Sequence, residues 1–167
     1  MKVNSKLRIS FYNVMKTISD SIDLMSEEIT GHHKMVAYIA LRIGKRLNLN
    51  KEELRKLVFS GLVHDIGILF FDKNIDELLK NRDNVEHAYV GYCLMEDYFP
   101  LDGYAKILKH HHTDWNETKN DKMSFISNII NLSDIIAFLI NQMDKDKILI
   151  KDYITKEVGE YCEGKIK

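Results

Sequence analysis

Apolar residues recur at three- and four-residue steps along nearly the whole chain, a periodicity that a bundle of helices satisfies and a sheet does not. Pro100 is the single proline, and no run alternates β-branched with polar residues. The expected fold is all-α, one helical bundle. Phe11, Val14, Ile18, Ile22 and Met25 mark a first amphipathic helix. Val36, Ile39, Ala40, Ile43 and Leu47 mark a second, with a break before it at Gly31. Asn50, with Glu53 three residues on, is an N-cap signature. It opens a third helix that buries Leu54, Leu57, Val58, Gly61 and Leu62, and Gly67 reads as its stop.

Further on, a charged connection from Phe71 to Asn84 holds a helical turn around Ile75 to Leu79. His87 opens the next helix, with Val85, Ala88, Tyr92 and Phe99 facing inward, and Pro100 with Gly103 ends it. Tyr104, Ile107 and Leu108 lie on a short helix leading into His110-His111-His112. The polar stretch Thr113 to Lys122, with Trp115 as its one large apolar side chain, is a candidate lid. Ile126, Ile129, Ile130, Ala137 and Ile140 build a long buried helix with Asp134 in its middle. After a charged turn at Asp144 to Lys147, Ile150, Ile154, Val158 and Tyr161 form a last helix. With 167 residues and no internal repeat, one domain is expected: a leading helix in 1–25, a core in 26–140 and a C-terminal helix in 141–167.

Charged residues make up 29% of the chain and the formal net charge is -1, which argues against disorder and against bulk nucleic-acid binding. Cys93 and Cys162 are too few and too far apart for a disulfide framework and read as reduced thiols. Met1 to Met15 lacks the apolar centre of a signal peptide. Met123 to Met143 is interrupted by Asn128, Asn131, Asp134 and Asn141, so it reads as a buried helix instead of a membrane span. A cytoplasmic protein without a membrane partner is expected.

Against that background, Leu62-Val63-His64-Asp65-Ile66-Gly67 stands out. A neutral imidazole and a carboxylate are both ligands for a divalent ion, and the second carboxylate oxygen can reach a neighbouring ion. Alone, the pair reads first as a hydrogen-bonded histidine beside a helix-end aspartate. Its company changes that balance. All seven histidines fall in four places, His32-His33, His64, His87 and His110 to His112, each at or near the end of an expected helix. Asp134 is costly in an apolar helix unless paired or metal-bound. Together these donors suffice for at least two ions.

In this arrangement the chain resembles the HD superfamily of metal-dependent phosphohydrolases, most closely its HD-GYP branch of cyclic di-nucleotide phosphodiesterases, over roughly residues 20 to 140. Thr30-Gly31-His32 followed by Val36-Ala37-Tyr38 resembles the first histidine motif. His64-Asp65-Ile66-Gly67 resembles the namesake pair, and His87, four residues before Gly91, the next ligand. His111-His112, with Trp115 after them, resemble the paired histidines, and Asp134 in Leu132-Ser133-Asp134-Ile135-Ile136 the final aspartate. Glu28 stands where some members hold a third metal.

The resemblance implies a ligand set of Glu28, His32, His64, Asp65, His87, His111, His112 and Asp134, with His64 and Asp65 central to catalysis. His32, His64, Asp65 and Asp134 would hold one ion; Asp65, His87, His111 and His112 would hold the other. Two or three divalent transition-metal ions are implied, iron or manganese first, with zinc and nickel left open. They would lower the pKa of a shared water, giving a hydroxide for in-line attack on phosphorus. His33 and His110 match no ligand position and read as outer hydrogen-bond partners or surface residues.

The implied substrate is a nucleotide, with cyclic di-GMP or a related cyclic di-nucleotide as the candidate. A homodimer or an upstream sensor chain is the candidate protein partner. Three features depart from the branch. Ile68 stands where a phosphate-meeting lysine is usual, Thr113-Asp114-Trp115-Asn116-Glu117-Thr118 replaces the Gly-Tyr-Pro segment, and Ile140-Asn141-Gln142-Met143 replaces a basic motif. The alternative is therefore a metal-holding HD domain, weak or inactive in catalysis, that serves as a signalling module.

Overall fold

The computed structural model describes residues 10–71, 85–96, 102–113, 115, 122–142, 156 and 158. Among them the chain is all-α, with no strand. The helices are α1 (Phe11–Asp23), α2 (His32–Arg46), α3 (Lys51–Val63), α4 (Glu86–Glu96), α5 (Asp102–Lys109) and α6 (Lys122–Gln142), and short 3-10 turns span Glu27–Ile29 and Ile66–Phe70.

Helix α2 is the hub, packed on both α3 and α6. One side of it supplies Ala37 to a cluster with Met15, Leu62, Val63, Met95, Ala105 and Leu108. Its other side supplies Val36 and Ala40 to a cluster with Leu57, Ile107, Ile126, Ile130 and Ala137. Helices α2 and α3 run antiparallel. Gly61 sits so close to Ala37 that a Cβ there would lie 2.7 Å from the Ala37 Cα, whereas one on Gly44 would meet Leu57 and Leu54. That register brings the start of α2, where His32 and His33 sit, against the end of α3, where His64 and Asp65 follow.

The N-terminal end of α3 is held by local chemistry. The Asn50 side chain accepts from the Glu52 and Glu53 amides, both at 3.0 Å, and the Asn50 amide donates to Glu53 Oε2 at 2.7 Å. This reciprocal pair satisfies amides that no helical carbonyl can reach. The other Glu53 oxygen meets Lys122 Nζ at 2.5 Å and links the first turns of α3 and α6. Asn50→Ala is expected to cost about 1 kcal/mol of unfolding free energy. A lower urea midpoint at unchanged slope is the expected reading, and an unshifted midpoint would contradict the role given to the cap.

Within the described residues the helices expected from the sequence form, with corrections. In α1 the buried stripe is Met15, Ser19, Ile22 and Asp23, whereas Val14 is 38% exposed and Met25 44%. The inward face keeps Phe11, Ile18 and Ile22 and takes in Met15 and Ser19 in place of Val14. Val85 is 51% exposed, and Leu47, 49% exposed, caps α2 instead of packing beneath it.

Gly67 does not stop α3. That helix ends at Val63 with His64 in helical conformation, and Gly67 lies inside the following 3-10 turn, pressed against α4. A Cβ at Gly67 would fall 2.0 Å from the His87 carbonyl oxygen and 2.8 Å from the Gly91 amide nitrogen.

By length and composition α6 is apolar enough over Lys122–Asn141 to cross a membrane, and 56% of its most apolar window is buried within the fold. The turn around Ile75 to Leu79, Phe99, Pro100, most of the stretch after Thr113, the charged turn and most of the last helix lie outside the described residues. Trp115 lies within them, its ring 6.3 Å from that of Phe125.

Candidate metal centre

Five segments converge on Asp65. Helix α2 contributes His32 and His33 directly after Gly31, whose φ of 76° makes the left-handed turn into the helix. Neighbouring helical residues point about 100° apart, so the two histidines reach different partners. His32 Nε2 lies 3.0 Å from Asp134 Oδ1. His33 is fully buried, with Nδ1 2.5 Å from Asp23 Oδ1 and Nε2 3.7 Å from Asp65 Oδ2.

The two oxygens of Asp65 face different groups. Oδ2 lies 3.0 Å from His64 Nε2, and His64 Nε2 in turn lies 3.7 Å from Asp134 Oδ1. Oδ1 lies 3.3 Å from His87 Nε2 and 3.5 Å from His111 Nε2. His87 Nε2 and His112 Nε2 are 3.0 Å apart. Gly67 enforces the second half of this arrangement, because the absence of a side chain lets the first turn of α4, with His87, approach the residues just after Asp65.

Backbone and carboxylate acceptors choose the imidazole tautomers. His64 Nδ1 donates to the Gly61 carbonyl at 3.1 Å, His111 Nδ1 to the Leu108 carbonyl at 2.6 Å, and His33 Nδ1 to Asp23. Each of these rings then presents its Nε2 lone pair to the interior. The Nε2 atoms of His33, His64 and His111 are buried with no hydrogen-bond partner. A lone pair facing a carboxylate oxygen is repulsive, so a cation must stand between them. Either a proton or a metal ion meets that requirement.

The spacing fits a metal. Donors held ~2.1 Å from one ion lie roughly 3.0 to 3.4 Å apart at right-angle or tetrahedral geometry. Three sets have donor atoms within 4.8 Å of one another: Asp65, His87, His111 and His112; His32, His64 and Asp134; and His33, His64 and Asp65. Nitrogen and carboxylate oxygen without thiolate suit divalent first-row metals.

Electrostatics point the same way. Burial alone would push the His64 imidazole down, but the charge of Asp65 and bonds to Asp134 and Asp65 hold it up at about 10. Burial would raise Asp65, yet the charge of His64 and contacts with His111, His64 and His87 hold it well below the usual carboxylate range. His33, His111 and His112 are pushed down, in each case chiefly by burial. Neutral His33, His111 and His112 beside an ionised Asp65 are already in the protonation states that ligation requires, whereas His64 must give up a proton to bind an ion.

Of the residues expected from the sequence, His32, His64, Asp65, His87, His111, His112 and Asp134 are brought together. The backbone of Glu28 belongs to the Glu27–Ile29 turn, but its side chain lies outside the described residues. His110 is half-buried, its Nδ1 3.4 Å from Thr113 Oγ1, and it joins none of the three donor sets. His33, read from the sequence as an outer or surface residue, stands among the inward-facing donors, because the turn at Gly31 aims the start of α2 into the bundle. Asp23 is only faintly marked in the sequence. Its signal was a carboxylate next to Ile22 at the end of the α1 stripe. Ile68 is fully buried, so the position after the His-Asp-Ile-Gly segment offers no side chain to a phosphate.

The family model for the HD domain matches residues 29–151. The chain is also similar to the 3'3'-cGAMP-specific phosphodiesterase 1 of Vibrio cholerae serotype O1 (strain ATCC 39315 / El Tor Inaba N16961). The two are 26% identical over 152 residues, which is 87% of this chain and 35% of that relative. The chain thus spans about a third of the relative's length. No solved structure matches it.

Proposed function

This chain belongs to the HD-domain family, and on that premise we propose that it is a metal-dependent phosphohydrolase cleaving a phosphodiester bond of a nucleotide, with a cyclic di-nucleotide as the substrate. The observation that carries the reading is Asp65, whose two oxygens face two separate histidine groups 3.0 to 3.7 Å away. Metal ions held on the two sides of Asp65 would activate water at neutral pH and offset charge on the phosphate oxygens. His32, His64 and Asp134 would hold one of them; His87, His111 and His112 would hold the other. No side-chain nucleophile is then needed, and the chain's task is to hold Nε2 donors around an ionised Asp65 in a largely buried site. Iron or manganese suits this donor set. The similarity to a 3'3'-cGAMP-specific phosphodiesterase supports the choice of substrate class.

The test is hydrolysis of 3'3'-cGAMP and cyclic di-GMP by protein loaded with iron(II) or manganese(II), followed by chromatography of the products. Linear or mononucleotide products that disappear with chelator are expected. A second reading, a metal-holding signalling domain without turnover, draws on the buried Ile68 in place of a phosphate-contacting lysine. Tight binding of the same nucleotides with no product under any metal would favour it.

Loading an ion must also displace a proton. The pKa of His64 is raised from 6.5 to about 10. Its protonated pairing with Asp65 therefore stabilises the fold fully below about 6.5 and is lost as pH rises through about 10. At pH 7 metal uptake should release protons, and affinity should increase with pH up to about 10. Calorimetric titrations in two buffers of different ionisation enthalpy should give different heats, and identical heats would rule this out.

A further inference from the structure

We propose that His33 is an additional metal ligand in this chain, aimed by Asp23 at the Oδ2 side of Asp65. The inference rests on the cluster being a metal centre and adds to the ligands named above one donor, His33, with Asp23 as its support.

Three observations carry it. First, His33 Nδ1 is 2.5 Å from Asp23 Oδ1, and the other Asp23 oxygen accepts the Gly31 amide at 3.0 Å. The carboxylate is therefore clamped at both oxygens, across the turn that starts α2. A histidine whose far nitrogen is fixed by a carboxylate is the usual support for a metal-bound imidazole, since it sets both the tautomer and the ring direction.

Second, the Nε2 atom so presented is buried and has no hydrogen-bond partner. A histidine kept only to pair with Asp23 would leave that atom unsatisfied in the interior, which folded chains avoid. Third, the atom is aimed at the centre. It lies 3.7 Å from Asp65 Oδ2, and with His64 and Asp65 it forms a set whose donor atoms fall within 4.8 Å of one another. The His33 ring stands 5.1 Å from that of His64, comparable with the 5.2 Å between His64 and His111.

The consequence is asymmetry. With His33 included, the Oδ2 side draws on His32, His33, His64, Asp65 and Asp134, while the Oδ1 side draws on Asp65, His87, His111 and His112. The ion on the Oδ2 side should resist chelation longer.

The experiment compares the wild-type protein with His33→Gln and Asp23→Asn. Metal content after dialysis against graded chelator and the visible absorption of the cobalt(II)-loaded proteins are the readouts, with circular dichroism as a check of folding. The wild type should hold two equivalents. His33→Gln should weaken one of them at least about tenfold and change the cobalt(II) spectrum, whereas Asp23→Asn, which keeps the imidazole but loosens its support, should weaken the same ion about tenfold or more. A folded His33→Gln protein with wild-type affinities and spectrum overturns the proposal. Should His33→Gln fail to fold, unchanged affinities and spectrum in Asp23→Asn overturn it instead. A wild-type protein that takes up no ion overturns the metal-centre reading itself, a result distinct from either.

Discussion

Replacing Asp65 with asparagine is expected to lower hydrolysis at least ~10³-fold and to reduce bound metal from two equivalents to no more than one. The side chain keeps its shape, so packing around a residue that is only 3% exposed is preserved. Its charge and one of its two acceptor oxygens are lost. The oxygen facing His64 and the oxygen facing His87 and His111 cannot both be replaced by one amide, whose nitrogen is a donor. Each tenfold in rate corresponds to about 1.4 kcal/mol of transition-state stabilisation, so losing several kcal/mol of charge compensation accounts for the expected size. Elemental analysis and initial rates on one preparation are the measurements. Near-normal turnover with both ions retained would eliminate Asp65 as the bridge.

Gly67→Ala is expected to act at a distance from any ligand atom. An added Cβ would sit 2.0 Å from the His87 carbonyl oxygen, a backbone atom that cannot rotate away. Either the Ile66–Phe70 turn or the first turn of α4 must move. Overpacking of this kind costs typically ~1–3 kcal/mol, and here it should approach or pass the upper end because both contacts are backbone. The displaced element carries His87, so the Oδ1 side of the centre should lose its ion before the Oδ2 side does. Chemical unfolding and metal content together test this. An unchanged unfolding midpoint with full metal content would show that the close approach of the turn and α4 is not needed.

Much of the fold could be read from single residues. Helical spacing, the Asn50 and Glu53 cap and the break at Gly31 are local features, and local features are written in adjacent residues. The buried face of α1 was legible only approximately, because Val14 and Met15 are both apolar and only contact with α3 decides which turns inward. Gly67 differs from its sequence expectation for a similar reason. A glycine after a helix looks like a stop, and nothing in the surrounding residues announces that another helix will press against it.

The same division runs through the site. The types and order of His32, His64, Asp65, His87, His111, His112 and Asp134 are one-dimensional information, sufficient to suggest metal chemistry and a family. Their convergence follows from antiparallel α2 and α3 and from the approach of α4. The partners of each ring nitrogen, and the role of His33, depended on which residues lie behind them. Asp23 is ten positions away in the chain and 2.5 Å away in space.

By itself, then, the sequence determined that the chain is helical, where most helices begin, and which residues could donate to a metal, since periodicity, capping and ligand chemistry are properties of residue type and spacing. Only the tertiary structure decided which donors share a side of Asp65, which nitrogen each histidine presents, and that Gly67 serves packing instead of termination. Those outcomes depend on contacts between segments distant in the chain, and the spacing of residues along one helix does not encode them.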